Sequence, residues 1–245
     1  MIVPVYNAGQ YIQRLFETLR AGEDGLEILL VDDGSTDHSG EACERYARDK
    51  NNVRVIHQAN AGVSAARNAG LQHAGGDWIC FADADDYLLD TWLDSLKRAI
   101  RENEDADLMI FQKDRLGREF EREDFLMAAL GNVTAGKGAE SCCWVYSKLF
   151  KASFLRENEI RFKDGIISGE DMLFNLKAFF YAGKVVCIDD PIYCICKNMQ
   201  SSTNRFDPKI IKSELAFQKE LQSLFKECSL TGAKWNMVYS KGLLN

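Results

Sequence analysis

Three carboxylates stand within four residues at the end of an apolar run. Asp83, Asp85 and Asp86 directly follow residues 78–82, which are typical of a buried strand. Hard carboxylate oxygens suit Mg²⁺ or Mn²⁺, which bind phosphate oxygens through one or two protein carboxylates. An N-cap for the helix that begins near Thr91 would explain one of these acids but hardly three. The cluster therefore predicts a divalent metal site.

A second acidic run follows an earlier apolar segment. Residues 27–31 are typical of a buried strand, and they lead into Asp32, Asp33, Gly34, Ser35, Thr36 and Asp37. Two interpretations stay open for this run. It could be an ordinary strand-to-helix loop with Ser35 or Thr36 as the N-cap, or its carboxylates could accept hydrogen bonds from a base or a ribose. No glycine-rich dinucleotide or P-loop signature accompanies it.

The elements that must position these acids alternate in type along the first half. Strand-like runs at 2–5, 27–31, 53–56, 78–82 and 107–111 are separated by helical patterns at 11–19, 37–48, 64–74 and 91–101. Such alternation predicts an α/β fold with a parallel or mixed sheet that is covered on both faces. Ligands of such sheets collect at the carboxyl ends of the strands, where both acidic runs lie.

The second half loses this rhythm. Residues 112–124 are dense in charge and predict an exposed loop or hairpin, whereas 147–157 and 171–182 predict helices. A strand at 185–188, a turn at 189–191 and an amphipathic helix at 207–228 follow. We divide the chain into a first half with the alternating elements (1–111), a second half (112–204) and a C-terminal helical segment (205–245); whether the termini are native stays open.

Composition narrows the class of protein. The net charge of -7 argues against a nucleic-acid-binding protein, which normally presents a basic face. The sequence shows neither a signal peptide nor an apolar run of the ~20 residues that span a bilayer. The spacing of the eight cysteines fits neither a zinc site nor a disulfide framework. We therefore expect the cysteines to be free thiols that are buried like small apolar side chains, in a protein of the reducing cytoplasm.

A set of motifs resembles the family 2 glycosyltransferases. They are IVPVYN at 2–7, VDDGSTD at 31–37, NAGVSAARNAG at 60–70, GDWI at 76–79, DADD at 83–86, SKLF at 147–150 and GED at 169–171. Their order along residues 2–200 is that of the family. The resemblance implies a GT-A fold, meaning a Rossmann-like mixed central sheet flanked by helices, with a smaller helical acceptor-side C-terminal part.

The resemblance also implies that 1–111 is the nucleotide-sugar-binding half and that 112–204 is the acceptor-binding half with the catalytic base. On the donor side it implies roles for individual residues. Pro4 and Tyr6 would line the base pocket, while Asp33, with Asp32 beside it, would hydrogen-bond a uracil-like base. Arg67 would lie near the nucleotide, although an arginine on the surface of a helix is an equal alternative.

The remaining roles concern the metal and the reaction. Asp85 and Asp83 would ligate the Mg²⁺ or Mn²⁺ that bridges the donor diphosphate, and Asp83 could instead contact the ribose. Lys197 would lie near the diphosphate or be an exposed loop cation. Asp171 would be the general base, with Glu170 in reserve; the alternative is that both acids only stabilise the start of a helix.

The expected function is therefore inverting, metal-dependent, hexosyl-type transfer from a nucleotide sugar, UDP-linked by the weight of the family, to a glycan or lipid-linked acceptor of surface polysaccharide. Peripheral contact of the helix at 207–228 with the inner face of the cell membrane stays open. The alternatives are a nucleotidyltransferase acting on sugar phosphates and a non-catalytic nucleotide-sugar-binding module. Trp92, Trp144 and Tyr146 could stack on a sugar ring or fill the core.

Overall fold

The computed structural model describes residues 1–112, 144–196 and 210–227. Lys197, most of the charged segment 112–124 and the first residues of the helix predicted at 207–228 lie outside these ranges, as do three of the cysteines. The predictions made for them stay predictions.

Three parallel strands form one side of the fold. They are β1 (Ile2–Val5), β2 (Ile28–Asp32) and β3 (Val53–His57), in the order β1-β2-β3. The helices α1 (Ile12–Thr18) and α2 (Ser39–Ala47) connect them. Every residue of β1 and β2 is buried, which explains why their sequences are apolar without alternation.

Four further strands form a second set beside the three parallel strands. They are β4 (Trp78–Ile79), β6 (Leu108–Phe111), β7 (Lys148–Lys151) and β8 (Val185–Ile188), in the order β4-β7-β6-β8. Strand β7 is antiparallel to both neighbours, while β6 and β8 are parallel. Ile2 joins the two sets of strands, because its N–H donates to Cys80 O (2.9 Å) and its carbonyl accepts from Ala82 N (3.1 Å). The predicted mixed central sheet is confirmed.

The prediction of a helix over residues 147–157 is wrong for its first part. Residues 148–151 form the central strand β7, and only Ala152–Glu157 is helical, as α5. The strand has the sequence KLFK, and two apolar residues between lysines are too few to show the spacing of a strand or of a helix. Two elements also went unpredicted, because the strands β5 (Tyr87–Leu88) and β9 (Tyr193–Cys194) have only two residues each.

Helices cover both faces of the sheet, in agreement with the predicted α/β fold. One apolar layer contains Ile2 and Phe81 with side chains from α3 (Val63–His73), α6 (Glu170–Tyr181) and α7 (Ile210–Glu227). The other layer contains Val3 and Val5 with side chains from α1 and α4 (Trp92–Glu102). The neighbours Ile2 and Val3 serve opposite layers, as the two-residue period of a strand requires.

Several side chains whose environment the sequence left open can now be placed. Trp92 is fully buried, and its indole N–H donates to Thr18 O at 2.9 Å, so it belongs to the core. Cys43 and Cys80 are buried as expected, whereas Cys187, Cys194 and Cys196 are only partly buried. None of the helices within the described ranges is long and apolar enough to cross a bilayer.

Gly70 allows α3 to approach β1 closely, and this contact yields a first prediction. A Cβ at Gly70 would lie 2.3 Å from Ile2 Cγ2, so Gly70→Ala should lower the free energy of unfolding by about 1–3 kcal/mol through overpacking. Urea denaturation followed by circular dichroism measures this change. Gly75→Ala is the matched control, because the nearest atom to its Cβ would be 3.9 Å away. Equal stability of the two variants would contradict the prediction.

Candidate active site

A buried arginine gathers three carboxylates from distant parts of the chain. The side chain of Arg67, on α3, is 4% exposed. Its Nη1 donates to Asp171 Oδ1 at 2.6 Å and lies 3.6 Å from Glu170 Oε1. Its Nη2 donates to Asp83 Oδ1 at 2.9 Å. Glu170 and Asp171, the two candidates for the general base, therefore lie next to Asp83, the predicted donor-side acid. The alternative that Arg67 is an arginine on the surface of a helix is wrong.

Burial and charge shift the protonation of this cluster. Burial raises the pKa of Glu170 to about 7, Asp171 repels its charge in the same direction, and Arg67 opposes both. Burial likewise raises the pKa of Asp171, against the attraction of Arg67. For Arg67, burial alone would lower the pKa, but Asp171, Asp83 and Glu170 together raise it, so the guanidinium stays charged.

The start of α6 is fixed by the helix α7 near the end of the chain. Gly169 precedes Glu170 with a φ of 89°, and a Cβ there would lie 2.7 Å from the ring of Phe217. Ser213, also on α7 and buried, accepts a hydrogen bond from Ile167 N at 2.8 Å. These contacts set the loop that delivers the two acids, and nothing in the local spacing of either segment predicted them.

The DADD run at 83–86 divides its acids between two environments. Asp83 and Asp85 are partly exposed, whereas Asp86 is buried and accepts from Tyr193 Oη and Cys196 N, both at 2.7 Å. Burial raises the pKa of Asp86 to about 6. Thr91 is the N-cap residue of α4, with no side-chain hydrogen bond, so Asp86 does not cap that helix.

Whether the DADD run can hold a metal ion depends on the phosphates of a bound nucleotide sugar. Within residues 1–112, 144–196 and 210–227, no group of three or more His, Cys, Asp or Glu side chains is arranged to hold a metal ion. Mg²⁺ needs only one or two carboxylates when substrate phosphates complete its coordination. Asp83 and Asp85, two residues apart at a strand end, fit a metal shared with a diphosphate and do not fit a self-contained protein site.

The acids of the first loop are held by their own chain. Asp33 is buried, and its two oxygens accept from Ala61 N (2.9 Å) and Gly62 N (2.8 Å) in the segment that leads into α3. Asp32 is buried as well; its Oδ1 accepts from Ser35 N at 3.0 Å and its Oδ2 lies 2.8 Å from His57 Nδ1. A base would have to use the lone pairs that remain, so their predicted role in donor binding stays a prediction.

The rest of the predicted base pocket follows β1. Pro4 is buried within the strand, and Tyr6, just beyond its end, is 52% exposed. Sequence reasoning missed Asn7, whose Oδ1 accepts from Thr36 N at 2.8 Å and so ties the two strand-end loops together. Its φ of 49° is a conformation that asparagine tolerates well, which was the available signal. Neither Ser35 nor Thr36 caps α2, because His38 is its N-cap residue.

Comparison with known proteins defines the class. The sequence model of glycosyl transferase family 2 matches residues 1–179, and the chain therefore belongs to that family. The predicted membership is confirmed, and the match covers both loops and the pair Glu170-Asp171.

Individual relatives agree with this assignment. Glycosyltransferase GlyG of Streptococcus pneumoniae is 32% identical over 79% of this chain and 68% of GlyG. The poly(ribitol-phosphate) beta-N-acetylglucosaminyltransferase TarS of Staphylococcus aureus is 31% identical over 79% of this chain but only 34% of TarS. The crystal structure of TarS 1–349 in complex with UDP-GlcNAc superposes with a TM-score of 0.69 at 24% identity, covering 89% of this chain and 65% of that one. The predicted GT-A-like fold is thereby confirmed.

Removal of the Arg67 charge gives the second prediction. Arg67→Met leaves Asp83, Glu170 and Asp171 without their shared cation, so the free energy of unfolding at neutral pH should fall by about 3–5 kcal/mol. Urea denaturation measures it. Arg54→Met removes an arginine that is half exposed and paired with Glu27, and should cost less than about 1 kcal/mol. The same loss in both variants would contradict the central role of Arg67.

The raised pKa of Glu170 gives the third prediction. The native state holds a proton on Glu170 up to about pH 7, while the unfolded chain releases it near the ordinary value of 4.5. The resulting stabilisation is fully present below 4.5 and is lost as the pH rises through about 7. In Glu170→Gln this loss should be absent from the window between 4.5 and 7. Melting temperatures across that window measure it, and a wild-type profile that Glu170→Gln leaves unchanged would exclude the effect.

Proposed function

We propose that this protein is an inverting glycosyltransferase that moves a sugar from a UDP-sugar to a hydroxyl group of a glycan or lipid-linked acceptor. The observation that carries the proposal is the Arg67 cluster, in which two acids of raised pKa face Asp83 across one guanidinium. General acid–base catalysis is favoured when the environment moves the pKa of a carboxyl group toward the working pH, and the pKa of each acid is raised in that direction.

The donor would occupy the strand ends. Tyr6 would contact the base, and Asp83 and Asp85 would hold Mg²⁺ or Mn²⁺ together with the diphosphate oxygens. When bound, the metal would neutralise the charge that develops on the leaving nucleoside diphosphate. The buried Nε of Arg67 has no hydrogen-bond partner among the described residues, which supports a site completed by a ligand.

Asp171 would act as the base. Its Oδ1 is held by Arg67, and its Oδ2 accepts from Val145 N at 3.2 Å, so the carboxylate is fixed from two sides while each oxygen keeps a lone pair. The acceptor hydroxyl would lose its proton to Asp171 as its oxygen bonds to the anomeric carbon. The bond from that carbon to the diphosphate oxygen would break in the same step, which inverts the configuration.

The relatives suggest where to begin the search for substrates. TarS is named a poly(ribitol-phosphate) N-acetylglucosaminyltransferase and was crystallised with UDP-GlcNAc, so UDP-GlcNAc is the first donor to test. The polymer in the name of TarS, poly(ribitol-phosphate), is compatible with a polymeric acceptor, and we propose surface polysaccharide assembly at the inner face of the cell membrane. The proposed donor half is 1–111, the acceptor half 112–204 and the C-terminal segment 205–245.

Exchange of the base gives the fourth prediction. Asp171→Asn should reduce UDP release from UDP-sugars in the presence of Mn²⁺ by at least about a hundredfold, because a proton acceptor contributes 10²–10⁴ in rate. UDP affinity, measured by calorimetry, should stay within about threefold of the wild-type value, since Asp171 is not among the residues proposed to contact the nucleotide or the metal. Glu157→Gln, an exposed acid on α5, is the control for both measurements.

Different outcomes point to different functions. Full turnover by Asp171→Asn together with an inactive Glu170→Gln would move the base to Glu170. Release of pyrophosphate from a nucleoside triphosphate and a sugar phosphate would indicate a nucleotidyltransferase. Donor binding without release of UDP by the wild type would indicate a binding module, and turnover in the presence of EDTA would remove the metal from the mechanism.

A further inference from the structure

Three aromatic rings form a continuous stack beside the Arg67 cluster, which we call the aromatic column. Tyr193 and Tyr146 are stacked with ring centroids 4.5 Å apart and an interplanar angle of 6°. Tyr146 and Trp144 continue the stack at 5.5 Å and 14°. The column joins β9 to the segment that enters β7.

The inner end of the column is tied to the donor-side acids. Tyr193 Oη donates to Asp86 Oδ2 at 2.7 Å and accepts from Asp83 N at 2.9 Å. The position of the column is therefore fixed relative to Asp83.

The outer end is a tryptophan on a fixed backbone. The side chain of Trp144 is 38% exposed, yet its carbonyl accepts from Asn175 Nδ2 at 2.9 Å and from the buried Lys148 Nζ. The next residue, Val145, donates its N–H to Asp171 Oδ2. The exposed indole thus lies one residue from the backbone group that orients the proposed base.

The charges around this end favour a neutral ligand. Glu170, Asp171 and Asp83 are acids, and the two cations beside Asp171, Arg67 and Lys148, are buried and already bonded within the protein. A phosphate group would meet these acids, whereas a sugar ring can place its C–H face on an indole and direct its hydroxyl groups to carboxylates. Tryptophan offers a large rigid surface at low conformational cost.

We propose that Trp144, presented by the aromatic column, is the platform for a pyranose ring of the acceptor. The proposal rests on the proposed glycosyltransferase function and deepens it, because it assigns a neutral, ring-form sugar to the acceptor side. The ring would lie on the part of the indole that Tyr146 does not cover, with a hydroxyl group directed to Asp171.

The test measures sugar binding and turnover separately. Saturation-transfer NMR in the presence of UDP reports binding of the methyl β-pyranosides of glucose, galactose and N-acetylglucosamine, with ribitol 5-phosphate as the acyclic anionic probe. At least one pyranoside should bind better than ribitol 5-phosphate. Trp144→Leu should weaken that binding about tenfold, while Trp144→Phe, which keeps an aromatic face, should stay within about threefold of the wild type. Leu215→Ala, which removes a 68% exposed apolar side chain from α7, is the control and should leave binding unchanged.

The outcomes separate the inference from the function on which it rests. Equal pyranoside binding by the wild type and Trp144→Leu would overturn the platform, as would no pyranoside binding or stronger binding of ribitol 5-phosphate. UDP affinity that falls in Trp144→Leu would show that the tryptophan serves the donor instead, which also overturns it. Failure of the wild type to release UDP from any UDP-sugar would contradict the transferase function, whereas the binding data would still decide the role of Trp144.

Discussion

The burial of one guanidinium group among three carboxylates is the constraint on which the site depends. Removing Arg67 from water is costly, and the protein offsets this cost only if Asp83 and Asp171 stay within hydrogen-bond distance. The positive charge of Arg67 in turn reduces the repulsion among the three carboxylates. The strand end that carries Asp83 and the helix start that carries Asp171 are thereby held together, although 88 residues separate them in the chain.

The sheet makes this arrangement geometrically possible. Gly70 lets α3 pack directly against Ile2 of β1, and Arg67 lies one turn earlier on the same face of that helix. On the other side, Ile2 pairs with the chain at Phe81, which brings the DADD run to the same edge of the sheet as β1 and β2. Because Gly70 has no side chain, α3 lies close to β1, and this position of the helix determines how far the side chain of Arg67 can reach.

Much of the fold and part of the site could be predicted from the sequence. The apolar runs of the first half predicted its parallel strands, because strands that are buried at every residue consist almost entirely of apolar residues. Strand β7 was missed because a central strand of four residues carries no periodicity that separates it from a helix. The motifs predicted that Glu170 and Asp171 belong to the site. The hydrogen bonds from Arg67 to Asp171 and from Asp83 N to Tyr193 span 104 and 110 residues, and no local pattern encodes them.

The placement of the proposed base depends on a helix that the sequence analysis assigned to a separate C-terminal segment. Helix α7 contributes Phe217, whose ring occupies the space above Gly169, and Ser213, which binds the loop before it. Because Gly169 has a positive φ, the backbone there has few alternatives once that ring is in place. The direction in which α6 begins, and with it the orientation of the Asp171 side chain, therefore depends on the packing of α7 against Gly169.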